Sequence, residues 1–176
     1  MQVKSVKVGN LDTNCYVVSY DGKSIIIDPG DDFYRIKNLV GENQVVGVFI
    51  THHHDDHDGA LKDVVKYYGV PVYDRNNLEM RRYDVKGLNI EVIYTPGHSK
   101  DSISLYLYDY DVMFVGDFIF KRSIGRTDLE TGNEEEMKQS LEKIKQYKNR
   151  IVLYPGHGEF TTLGDEIRLN PYFSRI

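Results

Sequence analysis

Apolar residues early in the chain come in short runs broken by turn residues. Val3–Val8, with three valines spaced by polar residues, reads as a strand. Cys15–Tyr20 and Ser24–Asp28 are also strand-like, and Asp21-Gly22 between them predicts a tight hairpin turn. From Asp32 to Val40 the period lengthens, with Phe33, Ile36 and Leu39/Val40 at helical spacing. Val45–Thr51 then reads as a strand apolar enough to be buried on both faces. Ala60–Tyr68 predicts a helix closed by Gly69, and Val70–Tyr73 another strand.

The second half repeats this mixture. Strands are predicted at Leu88–Tyr94, Ser102–Tyr108 and Val112–Gly116, with Asp109-Tyr110-Asp111 turning the last pair. The clearest helix runs from Glu134 to about Tyr147. Asn133 can cap it, three glutamates sit on its positive end, and Met137, Leu141 and Ile144 form one apolar stripe. Ile151–Tyr154 is the last predicted strand, and a short helix follows around Asp165–Leu169. Strands and helices mixed in this order predict an α/β (α+β) chain, an αββα sandwich layered helix–sheet–sheet–helix. No repeat, low-complexity tract or Pro/Gly/Ser linker divides it, so residues 1–176 are expected to form one domain.

Composition changes this picture little and narrows the partners. Hydrophobic residues are 40% and charged residues 28% of the 176, as in ordinary soluble proteins. The net charge is -5 and no stripe of Lys and Arg is present, which argues against a nucleic acid partner. Cys15 is the single cysteine, so no intrachain disulfide can form. The start lacks the continuous apolar core of a signal peptide, and no apolar run approaches the ~20 residues of a membrane span. The expected setting is cytoplasmic, with no membrane partner, and nothing in the sequence sets an oligomeric state.

Candidate chemistry is concentrated in the histidines. All six lie in three places, each directly after a predicted strand: His52-His53-His54-Asp55-Asp56-His57 after Thr51, Pro96-Gly97-His98 after Thr95, and Pro155-Gly156-His157 after Tyr154. A fourth strand end, Phe114-Val115-Gly116, leads into Asp117. Strand ends are rigid, and the loops leaving them can converge on one point. Imidazole and carboxylate together suit zinc, with iron or manganese as alternatives. His52 and His54, alternate residues of an extended segment, can face one ion; Asp56 and His57, a turn further on, can face a second. Asp117, with two oxygens, can bridge both. Any one of these histidines alone is more often a surface or packed core residue than a ligand. An apolar strand followed by Pro-Gly-His at two distant sites, together with the dense loop after a third strand, is not explained that way.

The set His52, His54, Asp56, His57, His98, Asp117 and His157 resembles the ligand pattern of the metallo-β-lactamase superfamily. Asp28-Pro29-Gly30, Thr51 and Gly59 are further matches. Within it, Gly116-Asp117-Phe118-Ile119-Phe120, the segment Ser123–Leu129, Pro155-Gly156-His157-Gly158 and Glu166 to Asn170-Pro171 resemble the short members of the glyoxalase II-like, hydroxyacylglutathione hydrolase group. The resemblance implies two ions, zinc in the first instance, the first held by His52, His54 and His98, the second by Asp56, His57 and His157, with Asp117 between them. Asp28 is implied to orient a ligating imidazole.

The activity implied is hydrolysis of a small-molecule acyl thioester, such as S-lactoylglutathione, to acid and thiol by a metal-bridging hydroxide. Asp56 would orient that hydroxide and Asp117 hold the pair of ions. Lys121, Arg122 and Arg126 could meet a substrate carboxylate. Full-length glyoxalase II carries an added C-terminal helical region that supplies basic residues for glutathione, whereas this sequence stops at Ile176. Persulfide dioxygenases, with one iron, resemble the chain too, including Gly125-Arg126-Thr127-Asp128, and a lactonase uses similar ligands. Cys15, in an apolar strand, is expected to be buried and inert.

Overall fold

The structure, a computed structural model, describes residues 1–175 and forms two compact units, Met1–Leu78 and a second beginning at Glu79. The first unit is built on a five-stranded sheet ordered β1-β2-β3-β4-β5, from β1 (Gln2–Val8), β2 (Thr13–Tyr20), β3 (Lys23–Ile27), β4 (Gln44–Phe49) and β5 (Val72–Tyr73). β1, β2 and β3 form an antiparallel meander, and β4 and β5 join it in parallel. The parallel steps need crossovers, which helices α1 (Phe33–Val40) and α3 (Leu61–Tyr68) supply. Ile36, Val40 and Val64 on the helices pack with Cys15, Val17, Ile26 and Val48 of the strands. The alternate strand residues Val18, Ile25, Ile27 and Phe49 are buried as well, so the central strands run apolar without alternation.

The second unit carries a six-stranded sheet ordered β13-β12-β9-β8-β7-β6. Its strands are β6 (Arg82–Val85), β7 (Leu88–Tyr94), β8 (Ile103–Leu107), β9 (Val112–Gly116), β12 (Val152–Pro155) and β13 (Thr161–Thr162). A small hairpin, β10 (Ile119–Phe120) and β11 (Ser123–Ile124), follows β9. Helix α4 (Glu134–Ile144) links the parallel pair β9 and β12, and α5 (Leu163–Leu169) leads to a 3-10 turn at Phe173–Arg175. Met137, Leu141 and Ile144 lie buried with Ile93, Met113, Val115 and Leu153, so the predicted stripe is core. Such a side chain gains about 1.5–3 kcal/mol on full burial. The Asn133 side chain accepts a hydrogen bond from the Glu136 amide at 3.0 Å, the expected cap.

Some boundaries differ from expectation for physical reasons. The strand expected to reach Asp28 stops at Ile27, because Asp28 turns into the left-handed region at φ 53°. Helix α1 begins at Phe33. Asp32 is itself left-handed, and its carboxylate accepts from the Gly9 amide instead of capping the helix. Helix α4 ends at Ile144, short of Tyr147, whose hydroxyl donates to Glu91 at 2.7 Å. Strands β6, β10, β11 and β13 have no counterpart in the hydrophobic pattern. Among the described residues no helix is long and apolar enough to cross a membrane.

Candidate metal centre

Strand direction gathers the candidate ligands within each unit. In the second unit β7 and β9 are both antiparallel to β8, and β12 is parallel to β9. The C-terminal ends of β7, β9 and β12 therefore lie on one edge of the sheet, and His98, Asp117 and His157 follow those three ends. In the first unit β3 and β4 are parallel, so Asp28 and Thr51 leave the same edge. The start of β2, antiparallel to β3, brings Thr13 there too.

The first unit holds His52, His54, Asp56 and His57. The chain bends at Thr51 and His52, is extended at His54 and then turns into a four-residue helix, α2 (Asp55–Asp58), which lifts Asp56 and His57 one turn further along. The rings of His52 and His54 meet edge to face with centroids 4.6 Å apart, and those of His52 and His57 are 4.1 Å apart. A ring nitrogen of His52 lies within 4.8 Å of one of His54 and one of His57, and an Asp56 oxygen within the same distance of His57. Closeness of this kind depends on Gly30, where a Cβ would overlap the Asp56 carbonyl.

Two of these rings, His57 and His52, have a partner that decides the tautomer. His57 Nδ1 lies 2.9 Å from Asp28 Oδ2, and this carboxylate can only accept, so Nδ1 carries the proton. Asp28 also accepts from the Thr51 amide at 2.8 Å and from the Thr51 hydroxyl at 2.7 Å. With its own proton spent on Asp28, Thr51 Oγ1 accepts from His52 Nδ1 at 3.1 Å. One buried carboxylate thereby sets two imidazoles with Nε2 as the lone-pair nitrogen, and Asp28 has the orienting contact expected of it. Thr13 Oγ1 donates to Asp56 Oδ2 at 2.8 Å.

The second unit holds His98, Asp117 and His157. His98 Nδ1 is 2.8 Å from the Arg126 carbonyl, an obligatory acceptor, so this ring too keeps its lone pair on Nε2. Asp117 Oδ2 stands 3.6 Å from His98 Nε2 and 3.4 Å from His157 Nε2. The ring of Phe120 lies against that of His157, centroids 6.1 Å apart. A Cβ at Gly125 would overlap the Asp117 carbonyl, so glycine lets this loop close over the aspartate.

His53 stands apart from the candidate set. Its two nitrogens lie 2.7 Å from Asp58 and 2.9 Å from Asp74, which ties the ligand loop to the segment after β5. Partial burial pulls its pKa down, but the two carboxylates more than reverse this and raise it. The three cations after Asp117 are each paired within the chain. Lys121 donates to Glu159 at 2.5 Å, Arg122 to Glu166, and Arg126 forks onto Asp128 at 2.7 and 2.8 Å. Cys15 is fully buried in β2, and burial, with Asp28 nearby, drives its thiol pKa well up. Two partners escaped the sequence reading. Thr13 is 43 residues from Asp56, and the Arg126 carbonyl is a backbone atom with no residue signature.

A profile of the Metallo-beta-lactamase superfamily matches residues 8–81 and 81–157. The chain belongs to the metallo-beta-lactamase superfamily. Probable metallo-hydrolase YqgX of Bacillus subtilis is 30% identical, across 99% of this chain and 98% of that protein. Hydroxyacylglutathione hydrolase GloC of Haemophilus influenzae is 28% identical, across 99% of each. Among solved structures, the BLEG-1 B3 metallo-beta-lactamase superposes with a TM-score of 0.94 at 28% identity, over 98% of this chain and 100% of that one. TTHA1623, in a di-iron-bound form, superposes at 0.88 and 27% identity, over 96% and 99%. ETHE1 from Myxococcus xanthus superposes at 0.89 and 28% identity, over 97% and 84%. The metallo-beta-lactamase fold is thus established for this chain. Its His/Asp donors, imidazole and carboxylate without thiolate, suit a borderline or hard divalent cation.

Proposed function

We propose that this superfamily member is a dinuclear metallo-hydrolase that cleaves an acyl thioester of the S-lactoylglutathione type to acid and thiol. The observation that carries the reading is the committed protonation of three candidate ligands. His52, His57 and His98 each spend the Nδ1 proton on an acceptor of the fold, which places the lone pair on Nε2, the form a metal requires. In this reading His52, His54, Asp56, His57, His98, Asp117 and His157 are the residues that would hold the metal. Zinc is the expected ion, with iron or manganese fitting the same donors. Ions bound there would supply Lewis acidity and lower the pKa of a bound water towards neutrality. Asp56, steadied by Thr13, orients the attacking water by accepting one of its protons in a hydrogen bond. The likeness to the hydroxyacylglutathione hydrolase supports the thioester as substrate.

The test is thiol release from S-D-lactoylglutathione by zinc-loaded protein beside its Asp117→Ala variant. Release by the wild type, lost in the variant, is the expected result. Near-full activity in a metal-loaded Asp117→Ala protein would sink the assignment of Asp117, and no release by the wild type would sink the substrate. A second reading, oxidation of a glutathione persulfide at a single iron, is favoured by the likeness to ETHE1 together with Gly125-Arg126-Thr127-Asp128. Oxygen consumption with one iron per chain would select it.

A further inference from the structure

Glu166 is completely buried on α5, and its hydrogen bonds run to Arg122, Thr161 and Asn170. Its carboxylate collects four donors. The Arg122 amide donates to Oε2 at 2.8 Å, the Arg122 guanidinium and the Thr161 hydroxyl, the latter at 2.6 Å, donate to Oε1, and the Asn170 amide donates to Oε2 at 2.9 Å. Burying a carboxylate costs several kcal/mol unless every oxygen is met in this way. Two of the donors come from Arg122, at the turn of the β10–β11 hairpin, where the backbone is left-handed at φ 67°. A non-glycine residue holds that conformation only where its surroundings over-determine it. Asn170 adds a second tie, donating to the Ser123 carbonyl at 2.9 Å.

The hairpin held in this way joins Asp117 to Arg126. Its far end runs through Gly125, closed over the Asp117 carbonyl, to the Arg126 carbonyl that takes the His98 Nδ1 proton. We infer that Glu166 is a positioning residue for His98: it clamps the hairpin so that the Arg126 carbonyl fixes the tautomer and direction of the imidazole. This inference rests on His98 being a metal ligand, and it assigns a function to a buried charge that helix packing alone does not require. Four donors aimed at one group also explain why a carboxylate is needed. The amide of glutamine, with the same shape, would set its own N–H groups against some of them.

The experiment compares wild type, Glu166→Gln, Asn170→Ala and Thr161→Val by the hydrogen-bonded imidazole N–H resonance of His98 in chelator-treated protein, and by zinc titration. Glu166→Gln is expected to broaden or abolish the His98 Nδ1–H signal and to raise the zinc dissociation constant about 10–100-fold, as loss of an outer partner of a ligating histidine does. Thr161→Val removes a donor from the same carboxylate without touching the hairpin and should leave the resonance in place. If Glu166→Gln fails to fold, Asn170→Ala reads the same tie from its other end, with loss of the resonance expected. A wild-type resonance and zinc affinity in Glu166→Gln, or in Asn170→Ala where that variant stands in, would overturn the inference. So would equal damage in Thr161→Val, which would make the carboxylate a mere anchor of α5. A wild type that shows the ordered His98 resonance and binds no zinc would instead overturn the metal-site reading.

Discussion

At the scale of single residues the candidate ligands are oriented by hydrogen-bond partners outside the set. Asp28 is buried, left-handed and committed to three donors, Thr51 twice and His57 once. Aspartate tolerates that backbone better than most residues, and only a carboxylate can accept from all three groups. The sequence made Asp28 noticeable through Asp28-Pro29-Gly30. It gave no hint of Thr13, because a hydroxyl at a strand start is commonplace and its partner lies far along the chain. Thr13→Val removes one donor from Asp56 with little change in volume. It should weaken zinc binding about 10–100-fold, measured by competition with a chromogenic chelator. An unchanged dissociation constant would show that Asp56 needs no support from β2.

At the scale of elements, period and punctuation located most of the helices and the long strands, and missed the short pieces. Two-residue strands such as β10, β11 and β13 contain too few residues to display a period, and they exist because neighbouring backbone offers partners. Ties between elements are likewise invisible in sequence. Asp111, in the turn between β8 and β9, accepts from Arg150 at 2.5 Å, from Lys148 at 3.1 Å and from the Tyr106 hydroxyl at 2.9 Å. Arg150 is the main cause that lowers its pKa to about 2. The folded value lies below that of the unfolded chain, so the stabilisation is complete above about pH 4 and disappears as the pH falls towards about 2. Thermal midpoints of wild type and Asp111→Asn should differ at neutral pH and converge as acid protonates the wild-type carboxylate. A gap that does not narrow would assign the effect to packing rather than charge.

At the scale of the molecule, the seven proposed ligands are divided between the two units, four in the first and three in the second. If these residues bind metal as proposed, metal becomes part of the stability of the chain. Free zinc at 100 times its dissociation constant should add about 2.7 kcal/mol. For a chain of this size that corresponds to about 5–10 °C in thermal midpoint. Chelation should reverse the gain, and Asp117→Ala should show much less of it. A midpoint indifferent to zinc and chelator in the wild type would contradict the proposed metal binding.

The sequence by itself determined the mixed α/β class, the family resemblance and which residue types carry the chemistry. Hydrophobic period and ligand spacing are local properties, written in neighbouring residues. Only the tertiary structure decided that His53 pairs with Asp58 and Asp74 while its neighbours His52 and His54 turn towards one another. It also decided that Asp28 serves His57 directly and His52 through Thr51, and that a backbone carbonyl at Arg126 holds His98. Those choices depend on strand direction and register, which bring together residues tens of positions apart, and hydrogen bonding is decided by that proximity alone.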